Sequence, residues 1–124
     1  MICSLLHIEK KFLYSSDFTR ETGIQSKRTQ HIIDILNWAK ADLYLSAFGS
    51  FDYMKEDGYD ATLHPVLFQN FEPKPYKQVQ SDSFVPYLSV LDAMFNVGAE
   101  TTLNLIRRGT DHWLTFEERG VYHA

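Results

Sequence analysis

Apolar residues recur at helical spacing over residues 82–98, DSFVPYLSVLDAMFNVG. There Leu88, Leu91, Met94 and Phe95 fall close together on one face of a helix. The pattern predicts that this face packs on a core. The same stretch carries a polar line, because Ser89, Asp92 and Asn96 are spaced three and four apart. A hydroxyl, a carboxylate and an amide on one stripe of an apolar helix either meet water or line a site. The clearest helix is SKRTQHIIDILNWAKAD, 26–42. Thr29, Ile32, Ile35, Leu36 and Ala39 form its apolar face, and Lys27, Gln30, Asp34 and Asn37 its polar one. Ser26 stands where an N-cap hydroxyl belongs.

Between these helices the period changes. KFLYSSDF, 11–18, begins strand-like with Phe12, Leu13 and Tyr14 and breaks at Ser-Ser-Asp. LYLS, 43–46, is a short apolar run that predicts a buried strand. AFGS turns the chain, and SFDYMKE, 50–56, opens a short helix with Ser50 as cap. TLHPVLFQNF, 62–71, is β-rich, with Pro65 confining it to an edge or a bulge. EPKPYKQVQSDSF, 72–84, is polar, contains two prolines and predicts a loop long enough for binding. Gly98 interrupts the apolar helix before a last one, AETTLNLIRR, 99–108, where Arg107 and Arg108 complement the C-terminal dipole. From Gly109 onward the pattern is mixed.

The alternation predicts an α/β fold: a small, mostly parallel sheet flanked by helices, part of a larger layered domain. If Leu13 and Leu43 lie on adjacent parallel strands, the crossover between them is right-handed. Ligands on such sheets gather beyond the carboxyl ends of the strands, here Ser15-Ser16-Asp17 and Ser46 to Ser50. With 124 residues, the chain is read as one domain, 1–124.

Composition narrows the function classes. The chain is 44% hydrophobic and 23% charged, which argues against disorder. Nine Phe and seven Tyr predict aromatic packing in the core. A net charge of −4 without a basic run argues against a nucleic-acid partner. Cys3 is the single cysteine, so an intrachain disulfide or thiolate cluster is ruled out, and it reads as a small apolar filler. No apolar run reaches the roughly 20 residues of a membrane span. The N-terminal MICSLLHIEKK does not read as a secretory signal, which favours the cytoplasm. His7, His31, His64, His112 and His123 are scattered and make no ligand pair, so no metal and no cofactor is expected.

Three features carry candidate chemistry. SAFGS exposes amides before a helix, which suits an anion as well as it suits a plain capped turn. Tyr76 and Gln78 sit on the proline-bracketed loop, where they either contact a ligand or pin the loop to the core. Asp92 either orients or deprotonates a substrate, or accepts hydrogen bonds that lock its helix to a neighbouring loop.

The runs YLSAFGSFDYM, QNFEPKPYKQ and FVPYLSVLDAMFNVG, in that order, resemble the WbqC-like protein family. That family carries a Tyr-Leu-Ser-Gly run, here Tyr44 to Gly49 with Tyr53. It has a Tyr-x-Gln pair before an aromatic-Pro step, here Tyr76 and Gln78, then Phe84 and Pro86. Its Leu-Ser-x-x-Asp-x-x-Phe-Asn-x-Gly helix is here Leu88, Ser89, Asp92, Phe95, Asn96 and Gly98. The YSSDF at 14–18 also fits, and the likeness covers residues 12–105. Two features depart from the family. Ala47 replaces a glycine, which makes a left-handed backbone there harder. The Gln-Pro or His-Pro segment that opens family members is not seen, so residues 1–124 read as the C-terminal half of the family domain.

The resemblance implies a glycine- or aminoacyl-transferase-like role in bacterial O-antigen or surface polysaccharide biosynthesis. Its small-molecule substrate would be a sugar nucleotide or an aminoacyl donor. The site would gather Asp92 as the catalytic group with Ser46, Gly49, Ser50, Tyr53, Tyr76, Gln78, Ser89 and Asn96 binding substrate. The alternative is a truncated, non-catalytic domain that binds a nucleotide sugar or a partner protein. A half-domain predicts an exposed sheet edge, covered by a homodimer contact or a partner chain.

Overall fold

In the computed structural model, which describes residues 1–79 and 81–122, the chain gathers into two compact units. One comprises residues 12–70 with 112–124, and the other residues 1–11 with 71–111. His123 lies outside the described residues. The secondary structure is that of a small α/β protein, with a two-stranded parallel sheet flanked by helices.

The first unit begins with a correction. Phe12, Leu13 and Tyr14 form no strand and are exposed. Tyr14 is the extended N-cap of helix α2, Ser15–Thr22. Asp17 in the first turn favours the helix dipole and accepts from Arg20 at 2.7 Å. Ser15-Ser16-Asp17 is therefore a helix start, not the carboxyl end of a strand, and no crossover runs from Leu13 to Leu43. Helix α2 stops at Gly23, whose φ of 70° suits a residue without a Cβ. Its buried Phe18 lies edge-on to His31 and Trp38 of helix α3, Arg28–Ala39.

Helix α3 is capped from afar. Ser26 does not cap it; the amide and hydroxyl of Thr29 both donate to Asp57 Oδ2, at 3.3 and 2.8 Å. The expected face also turns. Ile33 packs on the core and Thr29 is buried, while Ile32, Ile35 and Leu36 are half-buried and Ala39 is exposed. The cause is that α3 contacts both α2 and helix α4, Phe51–Glu56, so its covered surface is wider than one stripe.

Strands β1, Tyr44–Ser46, and β2, Val66–Phe68, pair in parallel with Ser46 opposite Phe68. β1 is less buried than its composition suggests, since Leu45 is exposed and Ser46 covered. Pro65 just precedes β2, and its carbonyl accepts from the Tyr44 amide. Phe68 also bridges Leu114 in antiparallel fashion, with bonds of 2.8 and 3.0 Å. The core is Phe51, Met54, Tyr59, Val66, Phe68 and Leu114. Phe51 meets Phe68 edge-on at 5.7 Å and Phe116 tilted at 4.9 Å, while Tyr59 stacks with Phe116 at 6.0 Å. Phe116 opens helix α6, Phe116–Val121, which a complete capping box between Thr115 and Glu118 nucleates. Arg119 of α6 lies 4.0 Å over the Phe48 ring and donates to the Phe48 carbonyl.

The second unit consists of the short helix α1, Ile2–Leu5, the segment 71–89 and helix α5, Val90–Arg108. Helix α5 starts eight residues later than the apolar period suggests. Pro86 disfavours helix in the residue before it, Tyr87 is left-handed with φ 60°, and Ser89 caps the first turn by accepting from the Leu91 amide. As expected, Gly98 breaks the helix, with φ 79° and ψ 169°. The segment at 71 is tied to the end of α5: the Glu72 amide donates to the Gly109 carbonyl at 2.6 Å, and the Phe71 ring occupies the space where a Cβ on Gly109 would sit.

The apolar face of this helix is reversed. Ala93 and Thr102 are the buried residues. Leu88, Leu91 and Phe95, expected in the core, are 49%, 41% and 87% exposed. The loop covers the other side, through the polar stripe. Among the described residues no helix is long and apolar enough to cross a membrane.

Candidate functional site

Asp92 stands in the first turn of α5, where a carboxylate is favoured by the helix dipole. Three side chains converge on it. Tyr76 donates its hydroxyl to Oδ2 at 2.6 Å, Gln78 donates Nε2 to the same oxygen at 3.1 Å, and Asn96 donates Nδ2 to Oδ1 at 3.2 Å. The 2.6 Å bond has the length expected of a neutral hydroxyl on a carboxylate.

The network then extends into the loop. Asn96 accepts from the Val79 amide at 2.7 Å, and its Nδ2 also donates to the Asp92 carbonyl. Gln78 clasps Val85 from both sides, donating to its carbonyl at 3.0 Å and accepting from its amide at 2.8 Å. The polar stripe therefore binds the far end of the loop to the helix. This explains why an apolar helix carries an acid and an amide one turn apart.

Counting acceptors shows what remains for chemistry. Each carboxylate oxygen offers two lone-pair positions. Among the described residues, Oδ2 of Asp92 has two donors and Oδ1 has one, so one lone-pair position on Oδ1 has no protein donor among them. Tyr76 is a proton donor here. Burial, and then its bond to the Asp92 carboxylate, raise its phenol above the usual value, so it stays protonated at neutral pH.

Tyr76 also meets Phe84 edge-on at 5.2 Å, and both line an open cleft of about 140 Å³. Its wall is mainly apolar, with Phe71, Leu88, Ala93 and Ile106, and Ser89 lies in its lining. Of the expected site residues, Tyr76, Gln78, Asp92 and Asn96 form one hydrogen-bonded cluster, and Ser89 caps the helix beside them. The sequence reading missed the cleft, whose walls come from Phe71, Leu105 and Ile106, residues without a chemical motif.

Ser46, Gly49, Ser50 and Tyr53 belong to the other unit. Ser46 is only 3% exposed, and its hydroxyl has no partner among the described residues. Phe48–Ser50 is a single 3₁₀ turn, and Ser50 precedes α4 without a side-chain capping bond. Ala47 is extended, with φ −69° and ψ 151°, so the turn does not need the glycine that the resemblance places there. Tyr53 is half-buried and packs on the aromatic core. Among the described residues no three His, Cys, Asp or Glu side chains gather as a metal site.

Comparison with known proteins agrees with the motifs. The WbqC-like protein family matches residues 1–103. The uncharacterized protein Rv1507c of Mycobacterium tuberculosis (strain ATCC 25618 / H37Rv) is 31% identical over 100 residues, covering 80% of this chain. The chain spans 41% of that relative's length. No solved structure matches the chain. The match over residues 1–103 includes the turn, the Tyr-x-Gln loop and the kinked helix, and the chain belongs to the WbqC-like protein family.

Proposed function

We propose that the chain serves a cytoplasmic transferase of the glycine- or aminoacyl-transferring kind in bacterial surface polysaccharide biosynthesis. The Asp92 cluster would orient the acceptor. The observation that carries this reading is the lone-pair position on Asp92 Oδ1 that no described residue fills, which can accept from a substrate N–H or O–H. Asp92 does not itself line the apolar cleft, but Tyr76, which donates to it, does. Tyr76, Gln78 and Asn96 hold the carboxylate in one orientation, and Tyr76 stays protonated as a donor. Thermal stabilisation by glycyl donors and nucleotide sugars tests it. Parent protein should be stabilised by a member of one class, and Asp92→Asn should lose most of that shift. Equal shifts for parent and variant would remove Asp92 from the site.

A second reading, a non-catalytic domain that binds a nucleotide sugar or a partner chain, has its own support. Leu91 and Phe95 point an apolar ridge outward from α5. Concentration-dependent self-association, lost in Phe95→Ser, would favour that reading over transfer and would identify the partner as a second copy.

A further inference from the structure

A second cleft, of about 460 Å³, adjoins the apolar one; Lys74 and Leu105 line both. Its remaining walls are Pro75, Thr101, Asn104 and Arg108. Thr101, Asn104 and Arg108 are spaced three and four apart, so they share one face of α5. Lys74 reaches the same space from the loop. Two cations, a hydroxyl and an amide thus face one cleft, and neither cleft has an acidic residue in its lining.

The ordinary explanation for Arg108 is that it complements the negative end of the helix dipole. That explanation says nothing of Thr101 and Asn104. Among the described residues, the side chains of Thr101, Asn104 and Arg108 make no hydrogen bond or ion pair. Lys74 makes two long contacts, 3.4 Å to Glu72 and 3.7 Å to Asp111, with carboxylates that are largely exposed. Such pairs are weak and easily exchanged for a stronger anion.

We infer that the two adjoining clefts form a bipartite site for a phosphate ester, with the phosphate held by Lys74 and Arg108 and a small apolar group in the neighbouring cleft. The donor set favours phosphate over carboxylate. Arginine presents a planar fork and lysine a point charge, and Thr101 and Asn104 add two further donor groups for a third oxygen. The apolar cleft has about the volume of a cavity that admits one benzene ring. The site rests on its own residues and does not require the transfer reaction. Where that reaction holds, it would retain a donor's phosphate.

Calorimetric titration of the full chain with phenyl phosphate, inorganic phosphate and phenol tests this. Phenyl phosphate should bind at least tenfold more tightly than either part, and added salt should weaken it. Arg108→Gln and Lys74→Gln should each weaken it by about tenfold or more, as loss of a charge-assisted bond does. Both positions lie at the surface, and unchanged melting curves would show that the variants fold. Flotation with vesicles containing phosphatidic acid, against phosphatidylcholine alone, separates a lipid source of the phosphate from a soluble one. Equal affinity for phenyl phosphate and inorganic phosphate, or parent-like binding by Arg108→Gln, would overturn the site. Phenyl phosphate is titrated without a glycyl donor or a nucleotide sugar, so its binding and the Asp92-dependent thermal shift succeed or fail independently.

Discussion

Phe68 and Asp92 each sit at the centre of one unit, and different forces surround them. Phe68 is fully buried among Phe51, Phe116 and Leu114, where packing is non-directional and tolerates several ring arrangements. Asp92 is half-buried, and three donors aimed at two oxygens hold it. The aromatic unit gains stability from area removed from water. The loop–helix unit gains definition from direction, because a satisfied polar network permits one geometry and penalises others. A binding surface needs the second property, which is why the candidate chemistry gathers around the polar network.

The comparison is broken most severely at Phe68. Phe68→Ala should cost ~3–5 kcal/mol, read by urea denaturation, because the surrounding rings cannot fully close the cavity. A cost below ~1 kcal/mol would show that the aromatic cluster does not stabilise its unit. Gly109→Ala comes next. The added methyl meets the Phe71 ring, and the overpacking should cost ~1–3 kcal/mol, with Phe71→Ala in the same chain recovering most of it.

Asp92→Asn sharpens the contrast. It turns an acceptor into a donor before Tyr76 and Gln78, and should cost ~1–3 kcal/mol while exposing the 79–85 segment to protease. Tyr76→Phe removes the bond to Asp92 and a long one from Gln78 at 3.4 Å, leaves no donor facing a donor, and should cost less, ~0.5–1.5 kcal/mol. If proteolysis of that segment did not change in either variant, the network would not be what holds the loop.

The smallest effect is expected at Asp57 and depends on pH. Bonds from the Thr29 hydroxyl and amide, with Arg28 nearby, hold its carboxyl below the ordinary value. A depressed folded value means that the unfolded chain takes up the proton first. The contribution is therefore present above the unfolded carboxylate range and is lost as pH falls through the lowered folded value. Melting temperatures from about pH 5 down to about pH 2 should show the parent losing its advantage over Asp57→Asn. A constant gap across that range would contradict the capping role.

How legible was this in the sequence? The helix at 26–42, the strand at 43–46, the loop at 72–84 and the break at Gly98 all followed from period, proline and glycine. The pairing of Tyr76 and Gln78 with Asp92 followed from the polar stripe and the resemblance. Two local signals went unread. Thr115-x-x-Glu118 announces α6, and Ser89-x-x-Asp92 behind Pro86 moves the start of α5 to Val90.

The rest was decided by tertiary structure. Periodicity states that a helix has an apolar face and a polar one, but not which of them a neighbour covers. In α5 the loop returns over Asp92 and Asn96, where Asn96 accepts from the Val79 amide and Tyr76 and Gln78 donate to Asp92. Leu91 and Phe95 are thereby left outside. Likewise, three apolar residues at 12–14 extend no sheet, since a strand exists only where another backbone accepts its hydrogen bonds. The sequence alone determined which residues carry chemistry and where local structure begins and ends. Only the fold decided which of them meet, because hydrogen bonding and burial are properties of pairs that lie far apart along the chain.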